Sequence, residues 1–522
     1  MASRPAPESP PAPAAAPDKG LRPDAVGFWD GLAVSLDSTA PAYSLAAVLG
    51  SLVVVAGTRA PAVLVLSFVP ILGIAVAFHL LNRTDQDCGT TFAWVSRALG
   101  PAAGWLAGWG VLVTGVLVVG SLADVAATYL YDLLGLDALA GSRPVVVVTA
   151  VVLILAMTWL CARGTELSAR VQRVLVLTQV GALLLFVVAA AVQLGRGGGA
   201  LRPSLRWLSP VGLDTDALVP GLLLGVFLYW GWESALNLTE ESRDRARAPG
   251  RAALVATVVL LLTYVGVAVA VLAVAGTGAV AGYADDAGLL GAVAAQVLGP
   301  FAPLLVLAIV TSGVASTQST LLPASRTALS MAAAGAFPRL FARVDPRTAT
   351  PVAGTWVVGL ASAAWYVGAS LVSDRFLSDS LSALSLLVAL TYALTGLACV
   401  VLWRRQLLRS WRALLLAGAA PLLGVATLLV LLVRAAAGLA DPSGSATGRT
   451  VLGVGLPLAM AGFFVLAGVA VLLACRRTGG AFFARRGGAT VDGQDAAAAL
   501  GLSRAAVPGT SRAAAPAGWR CR

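Results

Sequence analysis

The sequence predicts an all-α polytopic membrane protein with about 12 transmembrane helices. Three observations carry this reading. Hydrophobic residues make up 58% of the 522 and charged ones only 12%, more apolar surface than a soluble chain can bury. Apolar runs near the ~20 residues needed to cross hydrocarbon recur along the chain. Basic residues gather in alternate connections between those runs, as topology signals do.

Taken in order, residues 1–25 are rich in Pro and Ala, lack an apolar segment and read as a disordered cytoplasmic tail rather than a signal peptide. Spans one to twelve follow at 26–56, 61–81, 101–131, 144–162, 171–193, 217–241, 252–276, 300–325, 352–373, 379–403, 411–434 and 451–475. Gly-rich 194–200 and polar 437–449 read as connections, and 476–522 as a second disordered cytoplasmic tail. The transmembrane domain is thus 26–475. With the N-terminus placed in the cytoplasm, the short inner connections hold 17 arginines and the outer ones 8. The excess puts both termini inside a cell (plasma) membrane.

That topology also accounts for the net charge of +11, so no nucleic-acid partner is expected; the lipid bilayer is. Lys19 is the one lysine and lies in the expected tail, leaving no lysine in the bundle to respond to protons. Five cysteines lack CxxC spacing, and His79 is the single histidine. No metal site or cofactor is expected from such a set. There is no nucleotide-binding P-loop and no nucleophile–base constellation, so an enzyme is not expected.

Two spans are interrupted. Span one contains Leu36-Asp37-Ser38-Thr39-Ala40-Pro41-Ala42-Tyr43-Ser44; Asp37 brings a charge, and Pro41 removes an N–H and clashes with the preceding turn. Span six contains Tyr229-Trp230-Gly231-Trp232-Glu233-Ser234, where glycine opens backbone conformations closed to other residues. Each admits a plain structural account: a proline kink with a solvated Asp, or a packing glycine with a paired Glu. Breaks in corresponding places of two halves are, however, the sequence pointer to a transporter whose site lies between inverted repeats.

Three stretches resemble the amino acid–polyamine–organocation (APC) superfamily. Asp87-Cys88-Gly89-Thr90-Thr91-Phe92-Ala93-Trp94-Val95-Ser96-Arg97 is similar to the family's Gly-Gly-Thr-Tyr-Ala-Trp-Val-Ser-Arg. Tyr229 to Ser234, followed by Glu240-Glu241-Ser242-Arg243-Asp244, resembles Tyr-x-Gly-Phe-Glu and Glu-Glu-x-x-Asp-Pro. The third runs from Ser316 to Arg326, then through Met331-Ala332, Gly335 to Pro338 and Thr350-Pro351. The chain departs from the family in span one, where Ser-Thr-Ala-Pro-Ala-Tyr replaces a Gly-x-Gly-type turn, and at Cys88 and Arg245. The resemblance implies a LeuT-like fold: spans 1–5 and 6–10 as inverted repeats, with 11 and 12 peripheral. It implies a secondary active transporter, a permease moving amino acids by alternating access. A polyamine or amine carrier or exchanger of the same fold is the alternative, and a non-transporting amino-acid sensor a further one.

On that reading the substrate carboxylate meets the backbone of Ser38, Thr39, Ala40, Ala42 and Tyr43, since half-helix N-termini suit anions. The ammonium faces Tyr229, Trp230, Gly231 and Ser234, and Trp230 and Trp232 cover the substrate or gate it. The coupled ion is a proton or a sodium ion. A proton needs a buried carboxylate, with Asp37 and Glu233 leading and Asp124 third. Sodium needs clustered oxygens, which Ser312, Ser316 and Thr317 on span eight would supply. The plain account of those hydroxyls is helix–helix hydrogen bonding.

Overall fold

The computed structural model describes residues 19–283, 288–372, 374–478 and 480–501. Among them, eleven helical stretches are long and apolar enough to cross a membrane. The first, Phe28–Thr84, has 57 residues, or about 85 Å of helix against a hydrocarbon core of ~30 Å. It comprises two crossings, spans one and two, divided at the Gly57–Arg59 turn. Twelve spans result.

Span one is Phe28–Thr39 and Pro41–Ala56, and span two Ala60–Thr84. Spans three, four and five are Pro101–Leu133, Arg143–Arg163 and Thr165–Gly195. Span six is Thr215–Leu228 with Trp232–Glu241, span seven Ala248–Ala281 and span eight Pro303–Ala333. Spans nine and ten are Val352–Val372 and Asp374–Trp403; eleven and twelve are Trp411–Ala440 and Leu456–Thr478.

Two span starts differ from the sequence reading for identifiable reasons. Span five starts at Thr165, six residues early, because its polar residues Ser168 and Gln172 are buried, and Gln318 of span eight donates to Ser168 Oγ at 2.5 Å. Span twelve starts at Leu456 because Thr450–Val451 and Val454–Gly455 pair as a short hairpin, turned by Leu452 and Gly453, both at positive φ. A helix at Thr91–Leu99 precedes span three, and another at Leu289–Leu298 lies before span eight.

The most buried of the described spans are three, eight and ten. Spans three and eight approach so closely that a Cβ on Gly313 would stand 2.8 Å from Leu122 O, the backbone proximity that small residues permit in membranes. The first half of span one lies against spans five, seven and eight and the second half of span six. Span twelve buries few side chains, among them Met460, Gly468 and Leu472, and rests on spans three and ten.

Parts of both expected disordered tails are folded onto the bundle. Val26 N–H donates to Glu241 O at 3.0 Å, and Arg243 N–H to Val26 O at 3.0 Å. Lys19 Nζ lies 2.6 Å from Glu240 and 2.9 Å from Asp87. At the other end, Gly488 N–H bonds Arg97 O, Val491 N–H bonds Leu402 O, and a helix at Gly493–Leu500 is capped by Asp492. Composition marks these segments as polar and small but does not register their specific partners. Residues 1–18 and 502–522 lie outside the described residues.

Candidate binding site at two broken helices

Pro41 starts the second half of span one at a position where its missing N–H costs nothing, so the break falls on the residue before it. Ala40 takes φ 49° and ψ 59°, a left-handed conformation that costs a non-glycine residue about 1–2 kcal/mol. Local bonds support it: Ala40 N–H to Asp37 O at 3.1 Å, and Ser44 Oγ to Thr39 O at 2.8 Å. The unwound segment is therefore narrower than expected, because Ser38 and Thr39 remain helical.

In span six the helix stops at Leu228 and resumes at Trp232 as a 3₁₀-helix, with Gly231 at φ 114°. A Cβ on Gly231 would lie 2.6 Å from Ser38 O and 3.1 Å from Thr39 N. The two breaks thus meet backbone to backbone. Ser38 Oγ and Ser234 Oγ share a hydrogen bond of 2.6 Å, Ser316 Oγ donates to Ser38 O at 3.1 Å, and Ser234 Oγ to Gly231 O at 2.9 Å. Tyr392 of span ten accepts from Gly231 N–H at 3.4 Å and donates to Glu233 Oε2 at 2.5 Å.

A cavity of about 40 Å³ lies here, a volume of the order of a few waters and closed to an amino acid. Of the residues expected at a site, Ser38, Trp230, Gly231, Glu233 and Ser234 line it. Thr90, Asn237, Thr320, Thr391 and Tyr392 line it as well and are not among the expected site residues, although Thr90 and Thr320 fall in the family-like stretches. Thr391-Tyr392 inside the apolar run of span ten, and Asn237 within span six, were the available signals: polar groups at membrane depth have to be used.

Other expected residues lie elsewhere. Trp232 is fully buried against Phe78, with ring centroids 5.2 Å apart, and Tyr229 stacks edge-on against Tyr264 at 5.3 Å with its OH on Leu64 O. Both are core packing. Tyr43 N–H points to Ser312 Oγ at 3.4 Å, and Tyr43 OH to Ser121 Oγ at 3.1 Å. Thr39, Ala40, Ala42 and Tyr43 are not in the cavity wall. The three span-eight hydroxyls do not converge: Ser312 meets Tyr43 N–H, Ser316 meets Ser38 O, and Thr317 bonds back to Gly313 O in its own helix.

Asp37, in the first half of span one, is fully buried. Gln179 of span five donates to its Oδ1, and its Oδ2 has no hydrogen-bond partner among the described residues. Asp124 is engaged near the other end of the bundle by Arg143, at 2.5 Å, and by Tyr366.

The paired acids at the end of span six have separate structural tasks. Glu241 and Arg326 are both inaccessible to solvent and 3.2 Å apart, with Thr165 bonded to each. Removing one partner of a buried pair leaves an uncompensated charge, which costs about 3–5 kcal/mol. Glu241→Ala should therefore lower the thermal unfolding temperature sharply; an unchanged transition would show the pair carries no such energy. Glu240, Asp87 and Cys88 bring three ligand-type atoms within 4.8 Å of one another, a grouping the sequence reading lacks. Lys19 occupies it. Burial alone would push Asp87 up, but the Lys19 ammonium and the Ser330 hydroxyl outweigh that and hold its carboxyl below the usual range.

Residues 34–482 match the family model described as amino acid permease. The chain is 30% identical over 294 residues to an uncharacterized transporter of Mycobacterium tuberculosis, covering 56% of this chain and 62% of that relative. It therefore spans less than two thirds of the relative's length. It is 24% identical over 327 residues to the methylthioribose transporter of Bacillus subtilis, covering 59% and 68%. A branched-chain amino acid permease of the same organism is 23% identical over 367 residues, covering 66% and 74%.

Proposed function

The chain belongs to the amino acid permease family, and on that premise we propose that it is a secondary active transporter. It carries an amino acid across the cytoplasmic membrane by alternating access, both termini lie in the cytoplasm, and a proton gradient drives uptake. The observation that carries this reading is the backbone contact between the two breaks at Ser38 and Gly231, beside a cavity too small for an amino acid and walled largely by polar groups. Such a cavity binds substrate only after one set of helices moves, which is what alternating access requires.

The wall offers one carboxylate, Glu233, and no basic side chain among its lining residues. An ammonium belongs beside Glu233. The substrate carboxylate then takes the hydroxyls of Ser38 and Ser234 and the Gly231 N–H. The same carboxylate favours a second reading, an amine carrier, whose substrate has no acid group for those donors to meet. Protons are preferred over sodium as the coupled ion because the span-eight hydroxyls already serve other partners, whereas Asp37 is a buried carboxylate with an unused oxygen.

Counterflow in proteoliposomes loaded with a mixture of amino acids and amines tests the proposal. Exchange of an amino acid supports it; exchange of amines alone moves the assignment to the second reading, and no exchange of either removes transport. Glu233→Gln should raise the half-saturating substrate concentration about tenfold, for the loss of one charge-assisted hydrogen bond. An unaltered half-saturation would take Glu233 out of recognition.

A further inference from the structure

A second, larger concavity opens at the end of the bundle where spans one, five and seven begin. It has a volume of about 1050 Å³, and its wall combines Phe28, Trp29, Leu254 and Val255 with four arginines, Arg170, Arg173, Arg243 and Arg251. Two of the four are engaged within the protein. Arg173 Nε pairs with Asp30 at 2.9 Å, and Arg243 Nε donates to Asp24 O at 3.3 Å. The wall also carries three carboxylates: Asp30, Asp244, and Glu166, which faces Arg22 at 3.4 Å. Arg170 and Arg251 are exposed and have no carboxylate partner among the described residues. Arg251 and Arg247 both add to the like-charge field at Arg83.

Above the arginines the walls turn apolar and face outward. Span five exposes Val174 and Leu177; span seven exposes Val255, Val258 and Leu262. Trp29, 71% exposed at the rim, is the amphipathic ring expected where headgroups meet hydrocarbon. An unmatched pair of guanidinium groups at the foot of two outward-facing apolar ridges has the layout of an amphiphile whose head is a phosphate.

We propose that this cleft is a binding site for one anionic phospholipid. Arg170 and Arg251 hold its phosphate, and its acyl chains lie along the outer faces of spans five and seven. Guanidinium groups make paired, charge-assisted hydrogen bonds to phosphate oxygens, and their long aliphatic stems let the charge sit at the interface while the stem covers apolar surface. Phe28 and Asp30 belong to the first half of span one, so the lipid touches the half-helix whose inner end contacts Gly231. Nothing in the assignment depends on which substrate the central cavity takes.

The test is a thermal-shift titration of the purified full chain in a zwitterionic detergent with three probes: short-chain phosphatidylglycerol, the matching phosphatidylcholine, and inorganic phosphate. Phosphatidylglycerol should stabilise saturably, and at least about tenfold more potently than either of the others. The variant R170Q/R251Q should lose that preference, while R412Q, at an exposed arginine outside the cleft, should retain it. Both cleft side chains lack a carboxylate partner, so their replacement leaves no buried charge; the single variants R170Q and R251Q provide the same readout should the double variant not purify. Equal potency of phosphatidylcholine would overturn the headgroup assignment. Equal potency of inorganic phosphate would reduce the cleft to a general anion site, and wild-type preference in the arginine variants would place the lipid elsewhere.

Discussion

Gly231→Val is expected to abolish uptake while leaving the protein in the membrane. Two independent features make the position intolerant. Its φ of 114° lies where side-chain-bearing residues are rarely found, and its Cβ would stand 2.6 Å from a backbone carbonyl oxygen, Ser38 O. A flexible side chain could yield, but Ser38 O is fixed by Ser316 and by the helix around it. Relief requires separating spans one and six at the point where both are broken. That displaces the Ser38–Ser234 hydroxyl pair and Tyr392, and with them the cavity wall. Even Gly231→Ala should reduce uptake by more than about tenfold, since the Cβ itself makes the clash; backbone strain of this kind alone costs about 1–3 kcal/mol.

Gly57 supplies the comparison. It also has positive φ, 56°, but a Cβ there meets nothing within 4 Å, so Gly57→Ala carries only the conformational penalty. Uptake by Gly57→Ala should stay within a few-fold of wild type, about the effect of 1 kcal/mol. Radiolabelled counterflow beside size-exclusion profiles of both variants distinguishes the outcomes. Near-normal counterflow by Gly231→Val would mean that the contact between the two breaks is dispensable.

The fold and the site differ in how far they can be read from the chain, and the physical cause is burial. Span number follows from apolar length, which the membrane enforces residue by residue, so the twelve runs were legible. The breaks were legible too, because Pro41 and Gly231 act through backbone geometry that needs no partner. Which side chains face the cavity was not. Tyr229, Trp230 and Trp232 are alike in sequence, yet one lines the cavity and two are core, a choice made by Tyr264, Phe78 and the helix change at Gly231. Tyr392 stands in the apolar run of span ten, and only its bond to Glu233 in the folded chain places its hydroxyl at the candidate site. Lys19 was assigned to a tail by composition, and its ammonium instead joins the loop before span three to the end of span six. Long-range pairs of this kind leave no periodicity in the sequence.

Asp37→Asn is expected to separate substrate movement from its driving force. Asparagine keeps the shape of the side chain and the carbonyl-type oxygen that accepts from Gln179. It changes the other atom, Oδ2, which has no hydrogen-bond partner among the described residues. The packing around the break should therefore survive, whereas a group able to gain and release a proton is gone. A charged, unpaired carboxylate at this depth is costly, so alternation of span one is easiest when a proton has neutralised it, and asparagine holds the site permanently in that neutral form. Wild-type uptake should fall as the external medium becomes more alkaline, and Asp37→Asn should flatten that dependence. Counterflow, which needs no net proton movement, should persist in the variant, while accumulation driven by an imposed proton gradient should fall by about tenfold or more, equivalent to at least about 1.4 kcal/mol of lost coupling. Asp37→Leu removes the Gln179 contact as well, so a loss of both activities in that variant alone would report packing. Should Asp37→Asn accumulate substrate with the wild-type pH profile, the proton must bind elsewhere, and Glu233, bonded to Tyr392 at the cavity wall, becomes the group to test next.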